Sequence, residues 1–189
     1  VTESVPDHTN PWTTHTTDVV YDNAWIEVSH RQVTTPTGAP GIYGLVHYKN
    51  LALGVIPVDD QDHTWLVGQY RYPLDRYSWE IPAGGGPHNE APKTAARREL
   101  REECGLLAAD LQPIVRSALS NSVSDEVAII YLATGLTATD LDPDETEVLA
   151  LRRLPVDEAI ELALTGQIDD SLSLLGLLRL AVMRGRGRR

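Results

Sequence analysis

Short apolar runs separated by polar breaks dominate the chain from Leu51 onward, and they carry two different periods. Runs of strand length, rich in β-branched residues, predict strands over 51–58, 64–72, 78–81, 111–118, 127–134 and 148–154. Helix-forming stretches predict helices over 91–103, 155–163 and 171–183, the last with leucines covering one broad face. Pro92 suits a first helical turn, and Gly105 stands where a helix takes its left-handed C-terminal residue. Asp157 and Glu158 favour the start of the second helix, and Asp169 or Asp170 can cap the third. Upstream, residues 17–33 alternate as two short strands about a turn at Asp22-Asn23, and 42–48 form another. Pro36, Gly38, Pro40 and Gly41 mark a loop at 34–41, and residues 1–16 read as an extended arm anchored by Trp12. The glycines at 84–86 predict a flexible turn, and 184–189 a basic, disordered tail. Strands and helices that alternate in this way build a mixed α/β sandwich.

Composition narrows the partners more than the fold. A chain of 189 residues suits one domain with a small appendage. Its net charge of −11 argues against non-specific nucleic-acid binding, which needs a basic footprint. An anionic substrate would then need a metal or local arginines to hold it. Cys104 is the single cysteine, which excludes an intramolecular disulfide framework and fits a reducing compartment. No apolar run approaches the ~18 residues of a membrane span, and the first residues show no signal-peptide pattern. A cytoplasmic setting is the expectation.

The chemistry concentrates between Gly84 and Leu106. If 91–103 is helical, Glu99, Glu102 and Glu103 share one face, because positions three and four apart are neighbours. Carboxylates gathered there repel one another, and a hard divalent cation is the natural compensation. Arg98 stands beside them and is expected to hold a carboxylate in a bidentate pair. Cys104 reads as a small helix residue rather than a nucleophile.

Gly84, Glu90, Arg98, Glu99, Leu100, Glu102, Glu103, Gly105 and Leu106 fall in the order Gly-x5-Glu-x7-Arg-Glu-apolar-x-Glu-Glu-x-Gly-apolar. This resembles the signature of the Nudix hydrolases at every fixed position. Gln69-Tyr70-Arg71-Tyr72-Pro73 and Trp79-Glu80-Ile81-Pro82-Ala83-Gly84 resemble the subgroup that cleaves ADP-ribose and other nucleoside diphosphate sugars. Ser124-Asp125-Glu126, the acidic run Asp144 to Glu147, and Leu154 to Ala159 are similar to segments of the same subgroup. Gly68 departs from it, standing where a basic residue is often found, and so do Asn121, Ser122 and Ala150.

The resemblance implies an α/β (α+β) fold, a Nudix-type α/β/α sandwich with a mixed sheet over 51–189. It further implies a small N-terminal antiparallel β-domain within 1–50 that pairs two subunits into a homodimer. It assigns Mg2+ or Mn2+ to Glu99, Glu102, Glu103 and the carbonyl of Ala83, with Arg98 orienting a carboxylate and Glu90 steadying the cluster. The proton of the attacking water would pass to Glu147 or Glu145, with Glu126 next in order. Arg71 would contact a substrate phosphate, and Trp79, Glu80 and Gly84 would line the pocket. Trp25 or Tyr21 would stack on the base. The implied reaction is metal-dependent hydrolysis of the pyrophosphate bond of a nucleoside diphosphate sugar, ADP-ribose first. Two alternatives stand beside it: a Nudix hydrolase of dinucleoside polyphosphates, coenzymes or nucleoside triphosphates, and a non-catalytic nucleotide-sugar sensor.

Overall fold

A computed structural model describes residues 8–140 and 149–187, with side chains described as far as residue 185. Chain contacts gather it into two units, Val1–Lys49 with Ser120–Asp125, and Asn50–Leu119 with Glu126–Arg189.

The first unit is an antiparallel sheet of β1 (Thr13–Asp22), β2 (Ile26–Thr34) and β3 (Pro40–Tyr48), in that order. Asn23 closes the β1–β2 turn, its Oδ1 accepting the N–H groups of Trp25 and Ile26 at 2.8 Å each. The strand begins at Thr13, inside the stretch expected to be an arm, because the threonines at 13, 14, 16 and 17 favour a pleated backbone. Every position of β1 is exposed, whereas β2 buries Ser29 and Val33. The 120–125 segment ties to β3 through Val46 N–H to the Val123 carbonyl at 2.8 Å and the Tyr43 hydroxyl to the Ser122 carbonyl at 2.6 Å.

The second unit holds β4 (Asn50–Pro57), β5 (His63–Arg71), β6 (Arg76–Glu80), β7 (Ala83–Pro87), α1 (Pro92–Cys104), β8 (Leu106–Ala118), β9 (Val127–Ala138), β10 (Ala150–Pro155), α2 (Val156–Leu164) and α3 (Ser171–Gly187). Its strands form a four-stranded sheet, β7-β4-β9-β8, and a three-stranded antiparallel sheet, β10-β5-β6. The pairing of β4 with β9 is parallel, which makes the larger sheet mixed. Two apolar cores cover opposite faces. Leu53 and Val55 of β4 join Ala95, Ala96, Leu100 and Cys104 of α1 in one core. Ile56 of the same strand joins Val156, Ala159 and Ile160 of α2 and Leu177 and Leu180 of α3 in the other. The alternation along β4 therefore sorts side chains between two helical layers, which gives the α/β/α sandwich. No helix among the described residues is long and apolar enough to cross a membrane.

The structure moves several expected boundaries. The glycines at 84–86 lie within β7, paired with Leu51 to Leu53 of β4, and not in a flexible turn. β8 starts at Leu106, directly after the left-handed Gly105, and β9 runs on to Ala138 through Gly135, whose φ is 65°. A Cβ at Gly135 would stand 2.7 Å from the Ala109 Cβ, so glycine lets the two long strands stay paired. α3 continues to Gly187 and takes in Arg184, expected to lie in a disordered tail. Arg184 Nη1 donates to Asp62 Oδ1 at 2.6 Å, which holds the last turns of the helix.

Candidate metal and phosphate site

Local sequence sets the acid-bearing helix. Pro92 occupies the first turn of α1, and Gly105 closes it in the left-handed conformation at φ 62°, its N–H donating to the Arg101 carbonyl. The small and apolar residues Ala95, Ala96 and Leu100 bury one stripe, and this rotation brings the neighbouring stripe of glutamates against β7.

The contact with β7 depends on glycine. A Cβ at Gly84 would lie 2.1 Å from Glu99 Oε2, so only a bare backbone leaves room for that carboxylate. Glu103 Oε2 accepts the Ala83 N–H at 2.8 Å. Both carboxylates are nearly removed from solvent, Glu99 at 8% and Glu103 at 4% exposure, whereas Glu102 is half-buried.

Arg98 distributes itself over the cluster and does not fork onto one partner. Its Nη1 donates to Glu99 Oε1 at 2.7 Å and to Glu102 Oε2 at 3.0 Å, and its Nη2 donates to the Gly85 carbonyl at 3.0 Å. Glu90 adds a carboxylate oxygen 3.7 Å from Nη2. Burial works against the Arg98 charge, but Glu99 and Glu102 outweigh it and raise its pKa. The bidentate pair expected from the sequence is thus a shared one, which fixes two carboxylates and the glycine strand together.

Among the described residues no three acidic, histidine or cysteine side chains already stand as a closed metal-ligand set. The chemistry of the donors nevertheless fits a hard divalent cation: carboxylate oxygens, two of the carboxylates buried, set against the Ala83–Gly84 backbone.

A second ionic group adjoins the first. Arg71 at the end of β5 forks onto Glu80 of β6, Nε to Oε1 at 2.9 Å and Nη2 to Oε2 at 2.5 Å. The bond to Glu80 raises the Arg71 pKa against the cost of burial, and the charges of Asp170 and Glu103 act in the same direction. Trp79 is half-buried and meets the edge of Tyr77 with ring centroids 5.7 Å apart. Both rings fill the space beside Gly68, where a Cβ would come within 2.9 Å of Trp79 and closer still to the Tyr77 hydroxyl. A larger residue at that position would have to displace them.

Glu126 immediately precedes β9, half-buried, and burial raises its pKa. Trp25 belongs to the first unit, at the β1–β2 connection, and is 68% exposed. Glu145 and Glu147 lie outside the described residues. Sequence reading overlooked Ser173, a fully buried polar residue whose only signal is its place on the stripe shared by Leu177 and Leu180.

A helix delimited by Pro92 and Gly105 thus sets its glutamate carboxylates against a glycine strand, with an arginine spread between them. The family profile described as NUDIX domain matches residues 49–174, and the chain belongs to the Nudix family of hydrolases. It is 31% identical to the ADP-ribose pyrophosphatase of Mycobacterium tuberculosis, over 87% of this chain and 81% of that one. It is 29% identical to the methanol dehydrogenase activator of Bacillus methanolicus, over 85% of this chain and 88% of that one. A crystal structure of an ADP compounds hydrolase has the same fold, with a TM-score of 0.84 at 22% identity, covering 97% of this chain and 100% of the other.

Proposed function

We propose that the chain hydrolyses the pyrophosphate bond of a nucleoside diphosphate sugar, ADP-ribose before others, in a reaction that requires Mg2+ or Mn2+. The observation that carries this reading is the seating of the Glu99 and Glu103 carboxylates against the Ala83–Gly84 backbone under Arg98, beside the Arg71–Glu80 pair. Its likeness to a relative named as an ADP-ribose pyrophosphatase directs the choice of substrate.

Glu99, Glu102, Glu103 and the Ala83 carbonyl would hold the cation, with Arg98 keeping Glu99 and Glu102 in place. A bound divalent ion neutralises charge on the diphosphate and lowers the pKa of water. Arg71, held in place by the Glu80 fork, presents a cation to the substrate phosphates. A glutamate accepts the proton as water attacks: Glu147 or Glu145 first, Glu126 next. The water oxygen bonds to one phosphorus, the bond from that phosphorus to the bridging oxygen breaks, and that oxygen leaves with the other phosphate. The products are a nucleoside monophosphate and a sugar phosphate.

Residues 1–50 serve in this reading as a pairing region for a second copy, and 51–189 as the hydrolase. The exposed Val19, Val20, Tyr21 and Trp25 support it. Light scattering of the intact chain should give twice the monomer mass, and a monomer at all concentrations would remove the pairing role.

The test of the activity is phosphate release after phosphatase treatment, over ADP-ribose, ADP-glucose, GDP-mannose, UDP-glucose, NADH and diadenosine polyphosphates, with each metal. Turnover of one nucleoside diphosphate sugar, lost in Glu103→Gln, is the expected result. Turnover confined to the dinucleoside polyphosphates or NADH would replace the substrate assignment, and tight binding of ADP-ribose without turnover would replace hydrolysis with sensing.

A further inference from the structure

The crossover from β6 to β7 changes sheets within two residues, Ile81 and Pro82. A backbone that leaves one ladder before joining the next exposes its N–H groups to burial without partners. Pro82 has no N–H, and its carbonyl accepts the Val55 N–H at 2.8 Å. The Ala83 N–H goes to Glu103 Oε2. The remaining donor, Ile81 N–H, goes to Ser173 Oγ of α3 at 2.9 Å, across 92 residues of chain.

Ser173 is oriented in turn. Its hydroxyl donates to Asp170 Oδ2 at 2.8 Å, and its own N–H donates to the same oxygen at 2.8 Å, so Asp170 caps α3 and aims the serine lone pair at Ile81. A hydroxyl that donates to a carboxylate is a stronger acceptor for the next N–H. The reach is short because α3 lies close to the sheet: a Cβ at Gly176 would stand 3.0 Å from Ile56 Cδ1 and 3.1 Å from Ile130 Cγ2. Asp170 also adds its charge to the field at Arg71.

We propose that Ser173, aimed by Asp170, is a positioning residue that sets metal affinity by fixing the Ile81–Pro82–Ala83 crossover. The segment it holds ends at the residue whose N–H orients Glu103 and whose carbonyl is the proposed backbone ligand. The helix on the opposite face of the sheet thereby tunes the acidic site through one hydroxyl. This inference rests on the reading of Glu99, Glu102, Glu103 and Ala83 as a metal site.

Direct Mn2+ binding to the substrate-free chain, followed by electron paramagnetic resonance, tests it without recourse to activity. Ser173→Ala and Asp170→Ala should each weaken Mn2+ binding about tenfold, the size typical of lost outer partners at a metal site. Asp170→Asn keeps an acceptor oxygen and should recover most of the affinity. Leu180→Ala removes buried apolar volume from the same helix and should lower the melting temperature while leaving Mn2+ affinity within about twofold of the parent. Binding by Ser173→Ala and Asp170→Ala within about twofold of the parent would overturn the proposal, as would equal weakening in Leu180→Ala. Should Ser173→Ala not fold, the two Asp170 variants decide the matter. Absence of Mn2+ binding by the parent chain overturns the metal reading itself, a result distinct from equal binding by parent and variants.

Discussion

The two faces of β4 use the same device for opposite ends. On the α1 face, glycine in β7 leaves room for a carboxylate, and Glu99 fills the space a Cβ at Gly84 would take. On the α3 face, glycine in the helix leaves room for hydrocarbon, and Ile56 and Ile130 fill the space beside Gly176. One face therefore buries charge and must compensate it, through Arg98 and the backbone N–H of Ala83. The other buries aliphatic surface, with Ser173 as a fully buried polar residue of α3. Close approach alone does not define a site; what matters is which neighbour occupies the space that glycine leaves.

Substitutions on each face should separate stability from chemistry. Leu177→Ala on the α3 face removes a fully buried side chain and should cost about 2–5 kcal/mol in urea unfolding, with kcat preserved where the chain remains folded. An equal loss of kcat would show that the two faces are not separable. Glu103→Gln on the α1 face should reverse the pattern. The amide oxygen can still accept the Ala83 N–H, so the fold persists, while kcat drops on the order of 100-fold at saturating Mg2+. A rate near that of the parent would remove Glu103 from the metal site.

Gly84→Ala should act between these extremes. Its Cβ would expel the Glu99 carboxylate, and roughly tenfold weaker Mn2+ activation is expected, read from the metal concentration at half-maximal rate. Unchanged activation would mean that Glu99 has another way to reach the site.

Glu126→Gln should give the smallest effect on stability, and one with a definite sign. Burial raises the Glu126 pKa above the ordinary 4.5, so between that value and the raised one the folded chain holds a proton that the unfolded chain releases. Its contribution to stability is therefore greatest at low pH and falls as pH rises through that window. The variant should lose this part of the slope when melting temperature is followed across pH ~4 to ~8. An unaltered slope would place the carboxyl in contact with water.

Much of the site was legible because its determinants are local. A three-and-four spacing places Glu99, Glu102 and Glu103 on one side of any helix, and Pro92 and Gly105 delimit that helix by their own backbone preferences. Apolar runs of strand length marked β4 and β5 in the same way. The glycines at 84–86 carried no such mark, because glycine has no side chain with which to declare a strand, and their pairing comes from Leu51 to Leu53, some thirty positions upstream. The shared grip of Arg98 was likewise invisible, since the Gly85 carbonyl reaches it only once β7 has formed.

The sequence by itself determined the carboxylate face, its capped helix and the family that this spacing marks, since hydrogen bonds and sterics within a few turns enforce them. Tertiary structure alone decided which backbone those carboxylates meet, that Arg71 is held by Glu80, and that a serine of the last helix satisfies the crossover before Ala83. These are contacts between segments that only a packed core brings together, and the free energy that selects them is the burial of both faces of β4 at once.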